Sequence, residues 1–104
     1  MESVSGSLIQ LVDMPPEGLS EIELTVDGEW QSIVLHRVGD RVQAWLNICP
    51  HAGRRMDYAP GKFLLDQGRL VCAAHGASFE LEKGVCVAGP CRGASLVPLT
   101  IAFA

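Results

Sequence analysis

The chain has 104 residues, 48% of them hydrophobic and 19% charged, with a formal net charge of −4. That length fits one domain spanning 1–104 with an adequate apolar core, and the composition excludes a disordered chain. The acidic balance, with no basic run or basic helix, argues against a nucleic-acid partner, which needs Lys and Arg to neutralise phosphates.

In chain order, the opening MESVSGSLIQLVDMPPEG places Glu2 and no basic segment ahead of its short apolar run, unlike a secretory signal. No apolar run is long enough to span a bilayer, so a cytoplasmic protein without a membrane partner is expected. Short apolar segments broken by turn residues indicate an all-β chain. Strands are expected at 7–11, 21–26, 32–37 and 41–48, with a loop over 14–20 around Pro15, Pro16 and Gly18. Asp27-Gly28 and Gly39-Asp40 supply the turns between the second, third and fourth strands. In the fourth, Val42, Ala44, Leu46 and Ile48 share one face, and Arg41, Gln43, Trp45 and Asn47 the other. Trp30 and Trp45 read as packing residues and His36 as a surface histidine.

Beyond residue 51 the pattern is less regular. Ala59-Pro60-Gly61 marks a turn, and Asp66-Gln67-Gly68 is expected at the tip of a hairpin between 62–65 and 69–72. A second hairpin should join 77–81 to 85–87 through Glu82-Lys83-Gly84, and 96–103 closes the chain with Pro98 at an edge or bulge.

Two short stretches carry the chemistry. Cys49 and His51 form C-x-H in CPHAG, and Cys72 and His75 form C-x-x-H in CAAHG. Two of the three histidines therefore lie within three residues of a cysteine, each followed closely by Gly53 or Gly76. Thiolate and imidazole together hold soft or borderline metals. A structural Cys2His2 zinc site is one reading, although zinc modules usually keep Cys with Cys and His with His. Two mixed pairs suit an asymmetric cluster with two cysteines on one iron and two histidines on the other.

On these motifs the chain resembles the Rieske-type [2Fe–2S] proteins, and most closely their small soluble ferredoxins. The resemblance runs from about Asn47 to Leu99. It implies an all-β, Rieske-like β-sandwich of antiparallel sheets with a cluster-binding subdomain made of two hairpin loops, within about 47–79. By position, Cys49 and Cys72 match the ligands of the inner iron, and His51 and His75 those of the outer iron. GVCVAGPCRG, about 84–93, resembles the family's proline loop, with Gly89-Pro90 as the matching part. Twenty residues, 52–71, separate His51 from Cys72, slightly more than in ferredoxin-like members; the extra length can be absorbed near Pro60-Gly61 or the hairpin tip.

The resemblance also bears on potential. High-potential members carry a disulfide between the cluster loops at positions that are Arg54 and Ala74 here, and hydroxyl donors at positions that are Ala77 and Phe79. Without those donors reduction is less favourable, which places this chain at the low end of a range of about −150 to +300 mV. It implies a one-electron carrier between a flavoprotein reductase and a terminal oxygenase or reductase, not itself an enzyme. A mononuclear iron site is not buildable, since only His36 remains after the four ligands are used. A small subunit of an NAD(P)H nitrite-reductase-like complex and an iron–sulfur redox sensor are the alternatives. Cys86 and Cys91 are not assigned as ligands. Arg54, Arg55, Lys62 and Arg92 read either as a basic docking rim or as ordinary solvated charge.

Overall fold

A computed structural model describes residues 2–9, 17–50, 53–73 and 76–103, with side-chain surroundings for 17–50, 53–73 and 76–100. The described residues contain nine strands and no helix. The all-β expectation therefore holds. The chain divides into two compact units, Met1–Leu46 with Pro98–Ala104, and Asn47–Val97.

In the first unit, β2 (Glu17–Val26), β3 (Glu29–Val38) and β4 (Arg41–Leu46) form an antiparallel meander. Asp27 and Gly28 both have positive φ, 50° and 85°, which matches the right-handed twist of the strands they join. Val26, Ile33, Val34, Leu35, Ala44, Trp45 and Leu46 are buried. Because Ala44, Trp45 and Leu46 are consecutive, both faces of β4 are covered at its end, and the expected one-faced alternation gives way there.

β1 (Glu2–Ile9) pairs in parallel with β9 (Leu99–Phe103). The other pairings are antiparallel. Parallel neighbours need a long crossover, and here nearly the whole chain separates the two strands. Pro98, which has no N–H to give a ladder, makes only an isolated bridge with Trp45 just before β9 begins.

Three expectations change. The loop over 14–20 gives way to strand from Glu17, where Gly18 at φ 100° is accommodated opposite Arg37; residues 14–16, like Leu11 in the first expected strand, lie outside the described residues. The fourth strand stops at Leu46 because Asn47 turns its side chain to local backbone. Trp30 is 68% exposed and donates its indole Nε1–H to Glu23 at 2.7 Å, so it is no packing residue, whereas Trp45 is buried. His36 is half-buried on β3.

The second unit holds β5 (Leu64–Asp66), β6 (Arg69–Val71), β7 (Ser78–Phe79) and β8 (Cys86–Ala88) in one antiparallel sheet of that order. The β5–β6 tip is Gln67-Gly68, with Asp66 paired to Arg69 inside the ladder. Leu70, Phe79, Cys86, Met56 and Leu96 form its buried centre with Cys49 and Cys72.

Candidate functional site

The two Cys-containing loops are built on one backbone plan. In the first, the Cys49 N–H donates to the Arg54 carbonyl at 2.6 Å and the Gly53 N–H donates to the Cys49 carbonyl at 2.9 Å. In the second, the Cys72 N–H donates to the Ala77 carbonyl at 2.7 Å and the Gly76 N–H to the Cys72 carbonyl at 2.8 Å. Each loop is thus a six-residue frame closed at both ends, with glycine in fifth place. Gly53 and Gly76 have φ of 67° and 73°, a left-handed conformation that glycine adopts without steric cost. Proximity of His to Gly hinted at this plan, but its sharper sequence signal is the shared C-x-x-x-G spacing. His51 is third in its frame and His75 fourth in its own. Both histidines lie outside the described residues.

Cys49 and Cys72 form no disulfide and are buried, with 0% and 1% exposure. Frame and strand place each thiol: Cys72 directly follows β6, and Cys49 follows the turn that Asn47 anchors. The Asn47 side-chain carbonyl accepts the Met56 N–H at 2.8 Å, drawing the two ends of the first loop together. The Ala73 N–H donates to the Met56 carbonyl at 3.4 Å, which ties the second loop to the first.

Asp57 fastens this segment through its side-chain bonds. It is buried, and Arg55 grips it through Nε at 2.9 Å and Nη2 at 2.8 Å. The Gly61 N–H donates to it as well, at 3.2 Å. Burial would raise its pKa, but the bonds from Arg55, Gly61 and Asn47 outweigh that and hold the carboxyl below its ordinary value. Arg55 is therefore committed to Asp57, while Arg54, Lys62 and Arg92 are exposed. No sequence pattern announced the pair, because Arg-x-Asp is too common to be informative.

The loop 84–93 lies against the second frame. Gly89 has φ 100°, and a Cβ there would meet the Ala77 Cα at 2.8 Å. Glycine is thus required by close approach to the residue that closes the Cys72 frame. Ala77 and Phe79 are both fully buried and bring no hydroxyl. Glu80 organises the turn leading into this loop, its carboxylate accepting the N–H groups of Glu82 at 3.0 Å, Lys83 at 2.7 Å and Val85 at 3.0 Å. Desolvation acts to raise its pKa, but these backbone donors prevail and hold it below the ordinary value.

Cys91 and Cys86 are neighbours. The Cys91 thiol donates to Cys86 Sγ at 3.1 Å, and the Cys86 thiol donates to the Ala88 carbonyl at 3.2 Å. Desolvation, then the neighbouring Cys86 and Cys49, push the Cys91 pKa up to about 12. Among the described residues no three His, Cys, Asp or Glu side chains gather as a metal site. The donor set nonetheless suits iron: two buried, uncrosslinked thiols in matched frames are soft ligands shielded from solvent.

Comparison with known proteins bears on this geometry. The family model of the Rieske [2Fe-2S] domain matches residues 9–100. Among solved structures, the chain is similar to the ferredoxin of carbazole 1,9a-dioxygenase from Nocardioides aromaticivorans IC177. The identity is 27% and the TM-score 0.60, over 85% of this chain and 78% of that one. No curated protein matches significantly.

Proposed function

The chain belongs to the Rieske [2Fe–2S] domain family and holds one such cluster; from that premise we propose that it is a low-potential, one-electron carrier serving a multicomponent oxidoreductase. The observation that carries this reading is the pair of matched frames, each burying a cysteine side chain. Cys49 and Cys72 would hold the inner iron, and His51 and His75 the outer one, so each frame supplies one ligand to each metal. When bound, the cluster supplies a site that accepts and releases single electrons. The protein's part is to bury the thiolates and to fix how many hydrogen bonds reach the sulfurs.

Among the described residues, several donors of the two loops are already committed. The N–H groups of Cys49, Gly53, Cys72 and Gly76 are spent inside the loops, and Ala77 and Phe79 have no donor side chain. Each missing donor leaves the extra negative charge of the reduced state less stabilised, so the potential falls. The one-domain organisation over 1–104 is supported by a family match that crosses both compact units.

As to partners, the similar ferredoxin is that of a carbazole dioxygenase. We read this chain's donor as a flavoprotein reductase and its acceptor as a terminal oxygenase or reductase, in the cytoplasm. No helix among the described residues is long and apolar enough to cross a membrane. Redox titration of purified protein followed by EPR tests the proposal. A reduced-state signal with the low average g of mixed N/S ligation, and a midpoint below zero at neutral pH, are expected. A colourless protein with one zinc, or a midpoint well above zero, would overturn it. The His51→Cys variant should alter the spectrum of the reduced cluster if that imidazole binds iron.

A further inference from the structure

Cys86 and Cys91 fall outside the four-ligand set, yet their sulfurs sit 3.1 Å apart in the loop that presses on Ala77. We propose that they are an oxidant-responsive dithiol, a modification site that closes to a disulfide while the cluster stays in place.

Backbone bonds already hold the two residues face to face. The Cys86 N–H donates to Ala94 at 2.7 Å, the Gly93 N–H to Cys86 at 3.0 Å, and the Ala94 N–H to Cys91 at 2.8 Å. A disulfide needs the sulfurs at about 2.05 Å. The remaining approach of roughly 1 Å lies within reach of side-chain torsion, without unmaking those bonds. Exposure sets the order of events. Cys91 is half-buried and reachable by a small oxidant, whereas Cys86 is 2% exposed and sits behind it.

Hydrogen peroxide is the oxidant class, and because burial holds the Cys91 thiol protonated, its oxidation is slow and needs sustained exposure. The Cys91 sulfur attacks one peroxide oxygen, the O–O bond breaks, and water leaves with the thiol proton, giving a sulfenic acid. The Cys86 sulfur then displaces its hydroxyl, which leaves as a second water with the second thiol proton. Two S–H bonds are lost, one S–S bond forms, and two electrons pass from sulfur to oxygen.

The test treats cluster-loaded full-length protein with hydrogen peroxide, followed by maleimide trapping under denaturing conditions and tryptic mass spectrometry. Both cysteines fall in one peptide, GVCVAGPCR (84–92). That peptide should lose two hydrogens and regain them with dithiothreitol, while the visible spectrum of the cluster persists. Titratable thiols after unfolding should drop from four to two. Cys91→Ser should form no disulfide. Cys86→Ser should instead accumulate oxygenated Cys91, which a dimedone probe reads even if one variant loads cluster poorly. The proposal is overturned if both thiols remain alkylatable while the cluster bleaches, or if Cys91 crosslinks to Cys49 or Cys72. Neither result would bear on whether the intact protein carries an electron.

Discussion

At Gly89 the chain has no room for a side chain, since φ is 100° and the Ala77 Cα lies in the way. Gly89→Ala should cost about 1–3 kcal/mol from overpacking and backbone strain. A urea denaturation midpoint checks the size, and the visible spectrum of the loaded protein should shift as the loop lifts from the second frame. Asp57 supplies a different residue-scale constraint. Its carboxyl is more acidic in the folded protein than in the unfolded chain. Its contribution is therefore complete above the ordinary Asp value of about 3.9 and is lost as pH falls through the lower folded value. Asp57→Asn should destabilise at neutral pH by about 1–3 kcal/mol. It should also flatten the acid limb of a stability profile taken from pH 7 to pH 3, where Glu80 contributes in the same direction. At this scale the sequence was legible where a residue type is chemically rare, as with four cysteines and three histidines. It missed the Asp57 pairing and misplaced Trp30 as a packing residue, because both roles depend on which neighbours the fold brings up.

Among the elements, hairpins were legible in proportion to their turn chemistry. Asp27-Gly28 is a strong turn signal, and the structure places the β2–β3 turn there. At the β5–β6 hairpin the expected tip Asp66-Gln67-Gly68 contains the turn, which narrows to Gln67-Gly68 with Asp66 paired to Arg69. Gln67 adopts φ 52°, a conformation that Asn tolerates better than Gln. Gln67→Asn should accordingly raise stability, by roughly 0.5 kcal/mol, read as a higher thermal midpoint. Glu80→Ala should act oppositely at the turn before β8. Three backbone N–H groups lose a carboxylate acceptor and turn to water, so a loss of about 1 kcal/mol is expected. Faster amide exchange at Lys83 and Val85 would locate that loss in the turn. The start of β2 was less legible because Pro15, Pro16 and Gly18 suggested a loop, and only pairing with β3 reveals the strand.

For the molecule as a whole, the cluster type was legible because mixed Cys/His pairs are uncommon, whereas the common frame beneath them was not. Hydrogen bonds such as Cys49 to Arg54 and Cys72 to Ala77 join backbone atoms, which every residue carries. Partner identity was illegible for a related reason: docking depends on surface shape, and Arg55, apparently part of a basic rim, is occupied by Asp57. The matched frames also dictate where this chain can tolerate changes in length. An inserted residue between 49 and 54, or between 72 and 77, would put both closing bonds out of step and shift the ligand within the loop. The Gln67-Gly68 tip of the β5–β6 hairpin has no such metric, because it can lengthen while Cys72 still re-enters from β6, whereas 57–62 is closed by its own bonds. Drift in chain length should accumulate there, and the two cassettes should remain interchangeable in register though not in the seat each gives its imidazole.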